Sequence, residues 1–436
     1  MAATVAPLAA DHLLILLVQL ALLLLGALLL GRVAARFGLP AVVGELCVGI
    51  LFGPTLLGQL APAASDWLIP RTTEQFHLLD AVGQVGVLLL VGIAGIELDF
   101  AMVRRHRTAA LTIGATGLVV PLGLGIGAGF LVPAALMSDH GDRLVLALFL
   151  GVAMCVSAIP VIAKTLADMR LLHRDVGQLT LATSVVDDVV GWLLLSVVAA
   201  MAAGGIGATS LGVLLLSLAG LLVAVFVVGR PVVRAVMRSV ARRPEPGPTA
   251  AAAVVIVLTC AAATQALGFE AVFGAFIGGA LIGTSGTTNL ARLAPLRTAV
   301  LAVFAPLYFA TVGLRIDLTA LANPVVLATA AGLVAVAVAG KFGGAFLGAM
   351  AVRLPKWEAI ALGAGMNARG VIQIVVAGVG LKLGVLTTET YSIVILVAIM
   401  TSLMAPPVLR FAMRRVEHTA EEDLRRRDRA AFTGES

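Results

Sequence analysis

The sequence has little charge: only 12% of its 436 residues are Asp, Glu, Lys or Arg, whereas 60% are hydrophobic. Soluble domains are about a quarter charged and about half apolar. The chain therefore lacks the polar surface that a water-soluble enzyme needs. The mean hydropathy of +1.07 reflects apolar runs along nearly the whole length, which also excludes a single-span receptor. The composition predicts a polytopic integral membrane protein in contact with lipid.

Cysteines and aromatic residues are also scarce. The three cysteines, Cys47, Cys155 and Cys260, lie in apolar runs without C-x-x-C spacing, so we expect neither a disulfide framework nor a zinc site. Aromatic residues make up 5% of the chain, while glycines number 47. Small residues let apolar helices approach closely, as in tightly packed transporters. The net charge of +6 indicates basic residues kept on the cytoplasmic side, and no nucleic-acid partner.

The apolar runs predict an all-α membrane protein with about 13 transmembrane helices. The first run follows Asp11 and precedes Arg32, the reverse of a cleaved signal peptide. With the N-terminus outside, 23 basic residues fall in inside-facing connections or the C-terminal end and 4 fall outside, which favours N-out and C-in. The predicted spans are 12–31, 39–57, 81–97, 108–133, 143–165, 177–203, 209–238, 248–267, 269–284, 296–315, 323–351, 357–381 and 387–411.

Two internal echoes predict inverted repeats. Residues 43–54 (VGELCVGILFGP) resemble 273–284 (FGAFIGGALIGT), and 88–99 resemble 307–317. Both pairs are separated by seven predicted spans, so the second copy enters the membrane in the opposite sense, as in secondary transporters. The chain is therefore predicted to consist of a first repeat (11–203), a linker helix (209–240), a second repeat (248–412) and a charged cytoplasmic tail (413–436).

Three ionisable residues lie deep within predicted spans. Asp187 and Asp188 are inside span 6, and Lys341, one of four lysines, is near the middle of span 11. Such groups cost about 2.5–3.5 kcal/mol each on insertion scales and are functional candidates by default. Adjacent helical residues project about 100° apart, so one aspartate can pair with Lys341 while the other faces a water-filled cavity. A buried ion pair that only joins two helices is the structural alternative, but it leaves the second carboxylate unexplained.

Two spans carry helix-breaking residues in corresponding positions of the two repeats. Span 5 contains Ser157 and Pro160, and span 12 contains Asn367 and Arg369. Pro, Gly and small polar residues in mid-span are typical of helices that unwind and expose their ends to ions. Arg369 either compensates the helix ends or shapes the cavity potential. Glu45 in span 2 either caps a helix interface or assists ion passage, which makes it a candidate accessory residue.

Several motifs together resemble the monovalent cation:proton antiporter-2 family. That family includes bacterial sodium/proton antiporters, Kef-type potassium efflux systems and plant cation/proton exchangers. The resemblance covers about residues 40–410. The motifs are 156–166 (VSAIPVIAKTL), 171–179 (LLHRDVGQL), 186–192 (VDDVVGW), 95–99 (GIELD), 313–317 (GLRID), 340–344 (GKFGG) and 366–370 (MNARG).

The resemblance implies a homodimeric antiporter with two crossing broken helices, in which a mobile core moves against a scaffold. On the predicted spans the scaffold covers about 11–57 and 248–284, and the core about 81–203 and 296–411. By motif, Asp188 matches the cation and proton carrier, hence the site of the alkali cation. Asp187 matches the carboxylate that pairs with Lys341, and Ser157 matches a region near the ion. Kef-type relatives carry a C-terminal nucleotide-binding domain, which we do not expect in this chain.

The expected function is exchange of Na⁺, with K⁺ and Li⁺ as further candidates, for protons across a bacterial inner membrane. A proton and a cation would compete for Asp188, with no cofactor beyond the transported ions. A K⁺-selective antiporter, a K⁺ efflux system or a channel is the alternative. An intramembrane aspartyl enzyme needs two carboxylates that face each other from separate helices, whereas Asp187 and Asp188 are adjacent. No enzyme activity is therefore expected.

Overall fold

The computed structural model describes residues 10–37, 39–68, 73–97, 107–138, 142–157, 159–169, 171, 173–204, 216–221, 223–242, 245–286, 290–417 and 422. In these residues the chain is almost entirely helical, with a single isolated β-bridge between Met137 and Leu386. The α-helices are α1 Ala10–Arg36, α2 Ala41–Phe52, α3 Leu57–Leu60, α4 Pro62–Leu68, α5 Thr73–Ile96, α6 Arg107–Leu131, α7 Arg143–Cys155, α8 Ile159–Asp168, α9 Asp175–Gly204, α10 Arg230–Ala241, α11 Pro246–Ala266, α12 Ala271–Gly283, α13 Ala294–Ala299, α14 Ala305–Gly313, α15 Pro324–Ala351, α16 Lys356–Met366, α17 Val371–Lys382 and α18 Thr388–Met413.

The helices confirm the predicted all-α membrane fold. Ten described helical segments are long and apolar enough to cross a membrane, and the bent pair α16–α17 makes an eleventh. The two remaining predicted spans, 143–165 and 269–284, coincide with the shorter apolar helices α7 and α12. Each predicted span thus overlaps a described helix, while the number of crossings and their orientation remain predictions. Residues 209–215 of the linker and 423–436 of the tail lie outside the described residues.

The helices pack as two bundles. The aspartate bundle, which we define as α6–α9 and α15–α18, holds Asp187, Asp188 and Lys341. The flanking bundle, defined as α1, α2, α5, α11, α12 and α14, packs beside it. Aromatic and polar contacts join the two: the rings of Trp192 and Phe276 lie 6.0 Å apart. The Tyr391 hydroxyl donates to the Val312 carbonyl at 3.0 Å.

Helices that correspond in the predicted repeat make similar contacts. Helix α2 packs on α14, and the corresponding helices α12 and α5 pack on each other. Likewise α6 contacts α7 as α15 contacts α16, and α6 and α15 pack directly together. The inverted repeat itself remains a prediction. Bare backbone makes the approaches close, because an added Cβ on Gly49 would meet the Ala310 carbonyl oxygen.

The bundles differ from the sequence-based division into scaffold and core. That division places 81–97 and 296–315 with the core, but α5 and α14 pack mainly on α2, α12 and each other. The physical reason lies in their glycines. Gly95 faces the α12 backbone at Phe276, and Gly313 faces the α2 backbone at Leu46. Such backbone contacts need a facing surface without side chains, which the flanking helices supply.

The start of the tail folds back on the N-terminus of α9. Nε of Arg174 lies 2.9 Å from Oε2 of Glu422, and both side chains are 3% exposed. Oε1 of Glu422 accepts the Asp175 backbone N–H at 2.7 Å, and the Arg174 guanidinium also donates to the Val416 and Glu417 carbonyls. A carboxylate is stabilising at a helix N-terminus. The tail therefore caps the helix that carries Asp187 and Asp188.

Candidate functional site

The first broken helix is interrupted between α7 and α8. Helix α7 ends at Cys155, and Val156 is extended, with φ −80° and ψ 145°. Pro160 is the second residue of α8, where its missing N–H would have no intrahelical acceptor in any case. A proline there cannot donate to a continuous ladder from α7. The break consequently leaves the last carbonyls of α7 and the first N–H groups of α8 without intrahelical partners.

The second broken helix is interrupted between α16 and α17, which are bent by 41°. The Ser157 hydroxyl in the first break donates to the carbonyl of Met366, the last residue of α16, at 2.8 Å. Arg369 in the second break donates to the Ala153 carbonyl in the last turn of α7 at 2.9 Å. The two breaks thus contact each other, as expected for crossing broken helices, and each covers carbonyl groups that the other helix end exposes.

Asp187 is the paired carboxylate. Its Oδ2 atom lies 2.5 Å from Nζ of Lys341, and both side chains are 0% exposed. The same oxygen accepts the Ser157 hydroxyl at 2.9 Å. Lys341 also donates to the carbonyls of Gly117 at 2.9 Å and Cys155 at 2.5 Å. The ammonium therefore joins α6, α7 and α9 to α15 at one buried point.

Asp188 differs from its neighbour because its carboxylate has no cation among its hydrogen-bond donors in the described residues. The backbone N–H of Ile159, the first residue of α8, faces this carboxylate. Its side chain is 2% exposed, and its Oδ1 atom has no hydrogen-bond partner within the described part of the chain. The N-terminal end of a helix carries partial positive charge. This end of α8 holds the carboxylate while leaving one oxygen available.

Arg369 and Asn367 are the buried polar residues of the second break. The Arg369 side chain, 0% exposed, donates to the Ala153 and Ala337 carbonyls, both at 2.9 Å. Arg369 thus satisfies carbonyl groups, as one of its two predicted roles requires. Asn367 is 3% exposed, and its Oδ1 atom has no hydrogen-bond partner among the described residues.

Buried oxygens without a hydrogen bond are the chemically distinctive feature of the site. Within the described residues they include Oδ1 of Asp187, Asp188 and Asn367. Hard oxygen ligands suit alkali cations, and a buried oxygen without a partner costs stability unless a ligand or water satisfies it. No cluster of three or more His, Cys, Asp or Glu side chains in the described part could hold a metal ion. These oxygens are therefore candidate ligands for an alkali cation.

Glu45 lies apart from these residues. It is half-buried on α2, and its Cγ atom is near Gly31 of α1. Helix α2 belongs to the flanking bundle, so the structure does not bring Glu45 into the cluster of Asp187, Asp188 and Lys341. Its role in ion passage remains a prediction.

The sequence did not predict the backbone carbonyls that accept from Lys341, nor the hydrogen bond that Ser402 makes to the second break. The Ser402 hydroxyl donates to the Arg369 carbonyl at 2.5 Å and so ties α18 to the second break. A serine in an apolar helix gives no signal of its distant partner. One signal was available for the Gly117 carbonyl: α6 contains Pro121, and an internal proline frees the carbonyl four residues before it.

A cavity of about 430 Å³ lies between the two bundles. Its polar walls include His77, Asp80, Glu270, Arg315 and Lys382. Nη2 of Arg315 lies 2.5 Å from Oδ1 of Asp80. The wall from the aspartate bundle is formed by α17, including Val375, Gly378 and Val379, and by Tyr391 of α18. Asp187 and Asp188 are not among the described residues that line it.

A protein-family model described as "Sodium/hydrogen exchanger, transmembrane" matches residues 20–415. The chain belongs to this family. The match confirms the resemblance found in the motifs.

Curated relatives match most of this chain. It is 32% identical over 391 residues to "Na(+)/H(+) antiporter NhaS4" of Synechocystis, a match covering 88% of this chain and 93% of that protein. It is 31% identical over 376 residues to "Cation/H(+) antiporter 18" of Arabidopsis thaliana, covering 85% of this chain but 45% of the relative. The chain thus spans about half the length of the plant relatives it matches.

A solved structure shares the fold. The sodium proton antiporter MjNhaP1 from Methanocaldococcus jannaschii aligns with a TM-score of 0.69 over 92% of this chain and 99% of that one. Sequence identity is 16%, so the likeness concerns the fold alone. It agrees with an integral membrane protein built from packed helices with few soluble parts.

Proposed function

We propose that the protein is a monovalent cation:proton antiporter in which a cation and a proton alternate at Asp188. The observation that carries the proposal is the difference between two adjacent carboxylates: Lys341 neutralises Asp187, whereas no cation contacts Asp188 within the described residues. A buried carboxylate without a fixed counter-charge needs a mobile one, either a proton or a metal ion. The names of the relatives support exchange of Na⁺ or K⁺ for H⁺.

Competition supplies the coupling. Protonation removes the negative charge with which Asp188 would bind a cation, and a bound cation disfavours the proton. Oδ1 of Asp188, and the unbonded oxygens of Asp187 and Asn367, would be ligands for the cation. Ser157 and Lys341 would hold Asp187 in place, and Arg369 would stabilise the helix ends around it. The reaction needs no cofactor and breaks no covalent bond, so the protein would act as a transporter and not as an enzyme.

Access to the site would come from relative movement of the two bundles. Helix α17 connects the second break to the cavity, since Val375 in the cavity wall follows Gly370 by five residues, or about 7.5 Å along a helix. A small displacement of the aspartate bundle would let water from the cavity reach the second break along this part of α17. The flanking bundle would remain fixed, as part of a homodimer in the cell membrane.

The test is proton movement in inverted vesicles that contain the protein and a pH-sensitive dye. Na⁺, K⁺ and Li⁺ are added in turn after a proton gradient has formed. The wild type should release protons on addition of at least one of these ions, and Asp188→Asn should abolish the release while the protein remains in the membrane. Normal exchange by Asp188→Asn would contradict the carrier assignment.

A control distinguishes exchange from a channel. The membrane potential is clamped at zero by an ionophore for a different ion, and a cation gradient is imposed. An exchanger still moves protons under these conditions, in the direction opposite to the cation. A channel carries cation flux without proton movement under the same conditions. The ion that gives the largest signal identifies the preferred substrate.

A further inference from the structure

We propose that Pro121 of α6 is a positioning residue for Lys341, because it leaves the Gly117 carbonyl free to accept the third hydrogen bond of the ammonium group. The inference rests on the function proposed above only in its expected effect on transport. The structural argument concerns the three N–H groups of the Lys341 ammonium and their three acceptors, and the sequence explains why each acceptor is available.

The ammonium of Lys341 is fully buried and has three donors. Its acceptors are Oδ2 of Asp187, the Cys155 carbonyl and the Gly117 carbonyl. Cys155 is the last residue of α7, so its carbonyl has no intrahelical donor. Two of the three acceptors are thus explained by a carboxylate and by a helix end.

The third acceptor lies inside a helix. Gly117 is in the middle of α6, Arg107–Leu131, where a carbonyl normally accepts the N–H of the residue four positions later. That residue is Pro121, which has no N–H, and its ring pushes the carbonyl of residue i−4 aside. The Gly117 carbonyl is therefore left without its helical donor, and Lys341 donates to it at 2.9 Å.

Pro121 also lies directly beside Lys341 in the packing of α6 on α15. A Cβ added to Gly340 would lie 2.9 Å from Cα and 3.0 Å from Cβ of Pro121. Four residues on, a Cβ on Gly344 would lie 2.6 Å from the Thr116 carbonyl oxygen. Helix α15 thus presents bare backbone to α6 on both sides of Lys341. These glycines allow the two backbones to approach closely beside Lys341.

The charged and titratable groups that act on Lys341 come from two other elements. They are Asp187 and Asp188 of α9 and Cys155 at the end of α7, and Arg369 in the second break acts in turn on Asp187 and Cys155. Helix α6 contributes the Gly117 carbonyl. Loss of that acceptor would weaken the hold on the ammonium group beside the aspartates without changing any titratable side chain.

The experiment substitutes Pro121→Ala in the full chain. The new N–H of residue 121 restores the helical bond to Gly117, so the variant should fold, with a melting temperature no lower than that of wild type. With one fewer acceptor the ammonium is held less firmly beside Asp187 and compensates the charge of the aspartates less, so protons compete better with the cation. The acid limb of the cation-driven exchange profile should therefore move to higher pH by about 0.5–1 unit.

A double-mutant cycle separates this role from simple packing. Lys341→Ala leaves the Gly117 carbonyl unsatisfied in the wild-type background but not in Pro121→Ala. The drop in melting temperature caused by Lys341→Ala should therefore be smaller in Pro121→Ala. Pro407→Ala is the matched control, because Pro407 is also inside a helix, α18, but is exposed. It should change neither the cycle nor the pH profile.

Two results would overturn the inference. One is additive changes in melting temperature across the cycle, and the other is a pH shift that Pro121→Ala produces equally in the Lys341→Ala background. If the wild type shows no cation-driven proton movement, the proposed function fails. The thermal cycle still decides the role of Pro121, since it does not depend on transport.

Discussion

At Asp187 a single carboxylate oxygen accepts both Ser157 and Lys341, whereas Asp188 faces a backbone N–H at the start of α8. The difference arises because successive side chains on a helix point about 100° apart. One faces the crossing of α7 and α15, and the other faces the first turn of α8. Two identical residues therefore have different electrostatic partners, which is what a transporter needs to keep one charge fixed and the other variable.

This difference predicts that two conservative substitutions have unequal effects on stability. Asp187→Asn leaves the buried Lys341 ammonium without its counter-charge, which typically costs about 3–5 kcal/mol of stability. Asp188→Asn removes a carboxylate that has no cation partner among the described residues, and this variant should be stable. Thermal unfolding in detergent, followed by size-exclusion chromatography, measures both. Combining Asp187→Asn with Lys341→Met should recover much of the loss, whereas equal melting temperatures for the two single variants would refute the assignment of the pair.

At the scale of helices, glycine determines which elements belong together. Gly279 of α12 faces the Gly92 carbonyl and the Gly95 Cα of α5, and Gly283 faces Ile96. The stripe of small residues on α12 repeats at four-residue intervals, so it stays on one face of the helix. The contact holds α5 in the flanking bundle, although its hydropathy alone would fit either bundle.

We expect Gly279→Ala to destabilise the protein by about 1–3 kcal/mol, the usual cost of overpacking. The added methyl group would meet the backbone oxygen of Gly92, and a backbone atom cannot rotate away as a side chain can. Gly332→Ala is the control, because a Cβ at Gly332 in α15 meets nothing within 4 Å. Thermal unfolding in detergent should show a lower melting temperature only for Gly279→Ala. An unchanged value would mean that α5 and α12 separate at little cost.

On the scale of the whole molecule, the cavity between the bundles holds an acidic residue in an unfavourable setting. Glu270 precedes α12 and lines the cavity. Burial raises the pKa of its carboxyl above the ordinary value of 4.5, and the charge of Lys382 opposes that increase only in part. A raised pKa in the folded state means that ionisation of Glu270 reduces stability. Its contribution is most favourable at low pH and is lost as the pH rises above 4.5 through the raised value.

Glu270→Gln should therefore raise the melting temperature at pH 7–8 by about 1–3 °C and have little effect at pH 4. Glutamine keeps the shape of the side chain but is neutral at every pH. The measurement is thermal unfolding across this pH range, with the exposed residue Glu245 changed to Gln as the control. If Glu270→Gln lowers stability at neutral pH, the attraction between Glu270 and the charge of Lys382 outweighs the cost of burial.

The sequence alone determined that this chain is a helical membrane protein, since lipid forbids free charge and unpaired backbone. For the same reason it identified Asp187, Asp188 and Lys341, and helix-breaking residues marked the breaks at Ser157 and Asn367. The family motif already matched Asp187 to the carboxylate that pairs with Lys341. Only the tertiary structure decided which carbonyls complete the hydrogen bonds of Lys341, and that α5 and α14 join the flanking bundle. Depth in the membrane is encoded locally, whereas the rotation and crossing of helices depend on contacts between residues far apart in the chain.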